Sequence, residues 1–180
     1  MLCIMAYLEN NLIKLRALEP EDLDVLYRWE NDTELWDIGV TLSPYSKYAL
    51  REYIAKSRKD IYQSRQLRLM ITLKENGDPI GTIDLYDFDP VNSKAAIGIL
   101  LDKPFRGRGF GSQALELICG YAFDFLSLKQ LYAFVPVRNI PSIKLFTRCG
   151  YQPAGTLIAW LKTKNGFDDV YLMQLIHKDR

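Results

Sequence analysis

One histidine and three cysteines in 180 residues leave little with which to build a metal centre or a disulfide framework. Cys3, Cys119 and Cys149 are an odd number at spacings unlike any zinc motif, and His177 has no second histidine to work with. No metal is expected, and a reducing, cytoplasmic compartment is. Charge of one sign is equally scarce: 23 Lys and Arg face 22 Asp and Glu, a net +1. That balance offers no broad basic field to a nucleic-acid backbone. No apolar stretch approaches the roughly 20 residues of a membrane-spanning helix. The opening MLCIMAYLENN has neither a basic leader nor a small-residue cleavage site. Neither nucleic acid nor membrane is an expected partner.

What is present is an ordinary globular composition, 48% hydrophobic and 25% charged, over a length suited to one core. No repeat, low-complexity run or linker interrupts it, so residues 1–180 are expected to form a single domain. Leu12 to Leu18 alternate as a strand, and Pro20 then opens a helix carrying Leu23, Leu26 and Trp29. Ser43-Pro44 announces a second helix, with Leu50, Ile54 and Ile61 on one face and an end near Ser64. Leu67, Leu69, Ile71 and Leu73 alternate as a strand, and Asn76-Gly77 predicts a two-residue hairpin into the next. The run AAIGILL reads as a buried strand. A helix with Ala114, Ile118, Tyr121 and Phe125 follows, then the strand QLYAFVPV, a short helix capped by Asn139, and two strands meeting at Asn165-Gly166. The order βααβββαβαββ is that of a mixed α/β (α+β) fold.

The stretch DKPFRGRGFGSQAL, residues 102–115, sets three glycines and two arginines before a helix-forming run. A helix N-terminus presents unpaired N–H groups and about half a positive charge. Gly107, Gly109 and Gly111 clear the approach to it, and Arg106 and Arg108 add fork-shaped donors suited to phosphate oxygens. The dinucleotide fingerprint fails because Ser112 stands where its third glycine belongs, and the nucleotide P-loop fails for want of a lysine after Gly111.

The remaining pattern, Arg106-x-x-Gly109-x-Gly111 after a buried strand, resembles the pyrophosphate loop of the GNAT superfamily of N-acetyltransferases. LRALEPEDLDVLYRWEND (15–32) and NIPSIKLFTRCGY (139–151) are similar to the opening and the late helix of its ribosomal-protein and spermidine acetyltransferase branch. The resemblance implies a GNAT fold, a mostly antiparallel sheet with a central parallel pair splayed apart for acetyl-CoA. It implies that Ile99, Leu100 and Leu101 bind the pantetheine arm and that Arg106, Gly107, Arg108, Gly109, Phe110, Gly111 and Ser112 hold the pyrophosphate. Asn139, Ser142 and Phe146 would complete the cofactor site.

Many members place a leaving-group tyrosine where this chain has Phe146, so either Tyr151, Ser142 or water supplies that proton, or CoA leaves as a thiolate with a pKa of about 8.5. The strand glutamate of relatives is replaced by Ala96, and the base must come from elsewhere. Asp84, Asp87, Glu30, Asp32, Glu34 and Asp37 are the available carboxylates. In WENDTELWD, four acids interleave with Trp29 and Trp36, which suits a cationic amine, although buried tryptophans beside a polar loop would read the same. Substrate contacts are accordingly expected from Trp29, Glu30, Asp32, Glu34, Trp36 and Asp84. A cysteine nucleophile, Cys119 or Cys149 with His177, is disfavoured because Cys119 lies mid-helix among apolar neighbours. The expected activity is acetyl transfer from acetyl-CoA to a small-molecule amine or a peptide N-terminus in a ternary complex. The alternative is a CoA-binding sensor that has lost turnover. Apolar residues on both faces of VYLMQLI make a homodimer a further expectation.

Overall fold

Alternating apolar side chains on strand β2 (Leu67–Leu73) divide the molecule in two. Leu69 and Ile71 enter one buried cluster, while Met70 between them enters another on the opposite face. The computed structural model describes residues 7–36, 43–57 and 60–178. Its seven strands form one sheet in the order β1-β2-β3-β4-β5-β7-β6. Around β2 lie β1 (Ile13–Arg16), β3 (Pro79–Asp89) and β4 (Lys94–Leu101), followed by β5 (Gln130–Pro136), β7 (Gly166–Ile176) and β6 (Gln152–Thr163). Only the β4–β5 pair among these neighbours runs parallel.

The larger cluster lies under α5 (Phe110–Gly120) and α6 (Ile140–Arg148). Phe110, Ala114, Leu115 and Ile118 repeat along one side of α5, and all are buried. Each large apolar side chain among them contributes roughly 1.5–3 kcal/mol by leaving water. The smaller cluster, on the other face, joins Leu26 and Trp29 of α1 (Leu23–Glu30) to Leu50 and Ile54 of α3 (Lys47–Lys56) and to Met70.

Parallel pairing of β4 with β5 holds at Lys94↔Gln130, Ala95↔Leu131 and Ala96↔Tyr132 and goes no further. Both strands continue, β4 to Leu101 against β3 and β5 to Pro136 against β7. They therefore part beyond Ala96, as the resemblance implied, and a wedge opens between them. Nothing in the hydrophobic pattern of either strand reveals this, because both keep normal partners on their outer sides.

Local differences from the sequence reading have simple causes. Pro20 opens a separate 3₁₀ turn, Pro20–Asp22, with a Glu19/Asp22 capping box, before α1 begins. Ser46, not Ser43, caps α3, through its side-chain oxygen and the Ala49 N–H. The helix expected to reach Ser64 stops at Lys56, and Asp60 caps a separate turn, α4 (Ile61–Ser64). Another one-turn helix, α2 (Thr33–Trp36), follows α1. The Asn76-Gly77 connection spans residues 74–78 rather than two residues, with Leu73 and Asp78 closing it. At the other hairpin the two-residue loop is Lys164-Asn165, and Gly166 already pairs with Thr163.

Candidate active site

A cleft of about 590 Å³ occupies the wedge where β4 leaves β5. Ile99, Leu100 and Leu101 form one wall, and Arg106, Gly107, Gly109, Gly111 and Ser112 form the end over the start of α5. Gly107 (φ 72°) and Gly109 (φ 85°) adopt the left-handed conformation, and Gly109 is the N-cap of α5. A Cβ on either would meet nothing within 4 Å, so the first turn of α5 is open to an incoming anion. Arg106 is tied to the end of β4 by Nε donating to the Leu101 carbonyl at 2.8 Å.

The opposite wall is α6. Asn139 caps it, its Oδ1 accepting from the Ser142 N–H at 3.2 Å, and both side chains line the cleft. Gly111 allows close packing of the two helices, since a Cβ there would lie 3.2 Å from a Leu145 methyl. Pro141, Lys144, Leu145 and Arg148 also line this wall and were not anticipated. Their spacing of three, four and seven marks one face of a helix, a signal already present in NIPSIKLFTRC.

Four expected residues stand elsewhere. Arg108 turns away from the cleft, its guanidinium 5.8 Å from the Phe105 ring and 5.4 Å from the Phe110 ring. Phe110 faces the core from the first turn of α5, because its place in the apolar repeat outweighs its place in the loop. Phe146 is buried edge-on against Tyr151, with ring centroids 5.0 Å apart. Tyr151 is itself 0% exposed, and its hydroxyl lies 3.6 Å from the Cys119 thiol. Burial raises its pKa well above the usual tyrosine range, so its expected role as proton donor is corrected. Burial likewise pushes the Cys119 thiol up to about 12, and His177 stacks on Phe123 at 4.8 Å, an arrangement unsuited to a cysteine nucleophile.

On the face of the sheet opposite α5, Arg68 of β2 sits between two carboxylates. Its Nε and Nη2 donate to the two Asp84 oxygens at 2.6 and 3.0 Å, and its Nη1 to Glu30 at 2.7 Å. Burial alone would lower the Arg68 pKa, but the charge and hydrogen bonds of Asp84 raise it on balance. Asp84 is paired across the ladder with Gly98, and Tyr86 with Ala96, so all four face the same side at the point where β5 departs. The Tyr86 phenol is pushed up to about 12 by burial and by the charges of Asp87 and Asp84 and the neighbouring Tyr132.

Glu30 and Asp84 are thus brought together, while Asp32 and Glu34 are not with them. Those two pair with Lys103 at 3.5 and 2.8 Å, bracing the glycine loop. Trp29 is corrected to a core residue, 4% exposed in the smaller cluster. The Trp36 side chain and Asp37 lie outside the described residues. Among the described residues no His, Cys, Asp or Glu group could hold a metal ion, and no helix is long and apolar enough to cross a membrane.

Residues 13–152 match the family model described as Acetyltransferase (GNAT) domain. The chain belongs to the GNAT family. It is 31% identical over 176 residues to the uncharacterized N-acetyltransferase p20 of Bacillus licheniformis, covering 97% of this chain and 98% of that protein. It is 28% identical over 174 residues to the putative ribosomal N-acetyltransferase YdaF of Bacillus subtilis, covering 94% of each. A solved structure of spermidine N-acetyltransferase from Vibrio cholerae, in complex with CoA and spermine, superposes with a TM-score of 0.83 at 24% identity, over 93% of this chain and 96% of that one.

This GNAT chain is therefore an N-acetyltransferase, an enzyme that moves acetyl to an amine. Ala96 leaves β4 without a carboxylate, and Phe146 faces the core from α6. Ser142 is the hydroxyl that α6 does present to the cleft.

Proposed function

We propose that this GNAT enzyme transfers acetyl from acetyl-CoA to the primary amine of a cationic acceptor, a polyamine in preference to a protein N-terminus, by direct attack in a ternary complex. The observation that carries the reading is the parting of β4 from β5 beyond Ala96↔Tyr132. It gives one opening two approaches, the phosphate-binding cleft along α6 and the Asp84 face across Gly98.

The cleft suits acetyl-CoA through its glycines and donors: a bare helix N-terminus, the Arg106 guanidinium and an apolar wall for the pantetheine arm. When bound, acetyl-CoA supplies a thioester carbonyl open to attack by a neutral amine. Backbone N–H groups of the free half of β4, near Leu100 or Leu101, stabilise the charge that develops on the carbonyl oxygen. Ser142, which lines the cleft from the N-terminal turn of α6, hands a proton to the departing sulfur.

The Asp84 face suits a cation. Asp84 and Glu30 carry two negative charges against the one of Arg68, leaving a net attraction for an ammonium group. An alkylamine has a pKa near 10.4 and arrives protonated. Both Asp84 oxygens already accept from Arg68, so Asp84 holds and orients the ammonium while water takes its proton. Thiol release from acetyl-CoA, measured with spermidine, an alanine- or serine-headed peptide, an aminoglycoside or no acceptor, tests the reading. Release is expected above the blank with spermidine; release with the peptide alone would reverse the acceptor assignment.

A further inference from the structure

The cleft carries more positive charge than a diphosphate requires. The α5 N-terminus, cleared by Gly107 and Gly109 and joined by Arg106, already forms a complete diphosphate cradle. Two further cations, Lys144 and Arg148, line the same cleft from α6. They stand four residues apart on its exposed side and so project together.

Their position relative to the cradle is set by helix packing. Leu145 fills the space beside Gly111, and Ser112 lies close enough to Cys149 to act on its thiol. Lys144 and Arg148, which precede these two residues, are thereby held beside the start of α5, in the same cleft as the diphosphate cradle. Neither cation forms an ion pair with a carboxylate among the described residues, whereas Arg28, Lys47, Arg68 and Lys103 all do. Ammonium and guanidinium groups left without carboxylates on a cleft wall favour a second anion.

We infer that Lys144 and Arg148 bind the 3′-phosphate of coenzyme A and make the cleft selective for CoA over 3′-dephospho-CoA. The inference rests on the acetyl-CoA reading and adds a specificity determinant to it. A phosphate monoester carries a charge of about −1.5 to −2 at neutral pH. Arg148 offers it a forked donor and Lys144 a mobile point charge, whereas the dephospho ligand leaves the pair without an anion.

Calorimetric titration of the full chain with CoA and with 3′-dephospho-CoA tests this for the wild type, Lys144→Gln, Arg148→Gln and the double variant. The wild type is expected to bind CoA about tenfold more tightly than the dephospho ligand. The double variant is expected to bring the two within about twofold by weakening CoA alone, with the single variants between. Both side chains are exposed, so thermal melts of the variants should match the wild type. Equal wild-type affinities, or a double variant that weakens both ligands alike, would overturn the assignment while leaving the acetyl-CoA reading intact. Failure of the wild type to bind either ligand would remove both.

Discussion

Asp84 stands across from Gly98 in the β3–β4 ladder, and its Oδ2 is 4.0 Å from the point where a Cβ on Gly98 would lie. A carboxylate, held by an arginine, thus overlooks a position without a side chain just where two parallel strands separate. A small residue there leaves room between the carboxylate and the cleft, and a large one would close it.

Gly98→Val should therefore obstruct the amine without disturbing the cosubstrate. The KM for the acceptor is expected to rise about tenfold or more, with CoA affinity by calorimetry changed less than about twofold. Unaltered acceptor kinetics would show that the amine does not cross Gly98.

Arg68→Gln leaves Glu30 and Asp84 without their shared cation. Their side chains are 22% and 16% exposed, so water offsets part of the penalty, and a loss of about 2–3 kcal/mol is expected in urea denaturation at neutral pH. A denaturation midpoint equal to that of the wild type would contradict this account.

Gly81 and Gly98 provide a paired test of packing. A Cβ on Gly81 would fall 2.1 Å from the Leu100 carbonyl oxygen, whereas one on Gly98 meets its nearest neighbour, Tyr86, at 3.6 Å. Gly81→Ala must force β3 from β4 beside the cleft wall, and a loss of at least about 3 kcal/mol, or roughly 6–12 °C in Tm, is expected. Gly98→Ala should melt within about 1 °C of the wild type. Similar melts for the two variants would refute the close approach at Gly81.

Alkali should destabilise the fold. Burial raises the pKa of Cys119 and of Tyr86 to about 12, and that of Tyr151 also rises. From about pH 9 the unfolded thiol releases its proton, and from about pH 10 the unfolded phenols do, while the folded chain keeps them. The unfolded state then binds fewer protons, so stability present below pH 9 is lost progressively as the pH rises toward about 12. Tyr151→Phe should flatten the upper part of that decline in a Tm–pH profile; a profile level from about pH 8 to pH 11 would be inconsistent with these buried groups.

Ser142→Ala separates the two sources of the leaving-group proton. If the hydroxyl delivers it, kcat falls about tenfold or more while CoA affinity is kept. An unchanged kcat would mean that the thiolate, with a pKa near 8.5, departs without help from Ser142.

Much of the cofactor side was legible because its determinants are local. The glycine-rich stretch before an apolar helical repeat encodes its own backbone geometry within a few residues, and Asn139 caps a helix three residues deep. The cationic face of α6 was equally legible in the spacing of Lys144 and Arg148, although the Asn139-to-Tyr151 stretch was read only for Asn139, Ser142 and Phe146. The acceptor side was less so. Trp29 sits beside acidic residues in the chain, yet hydrophobic burial against Leu26, Leu50 and Met70 removes it from them.

The sequence by itself determined the order of the long elements, the glycine-rich loop before α5 and the family, since helical period, strand alternation and turn chemistry act over short distances. Tertiary structure alone decided that β4 and β5 separate after Ala96, that Arg68 gathers Glu30 and Asp84 at the opening, and that Tyr151 is sealed in the core. Each depends on segments tens of residues apart meeting across the sheet, where packing and charge pairing, rather than local preference, choose the partner.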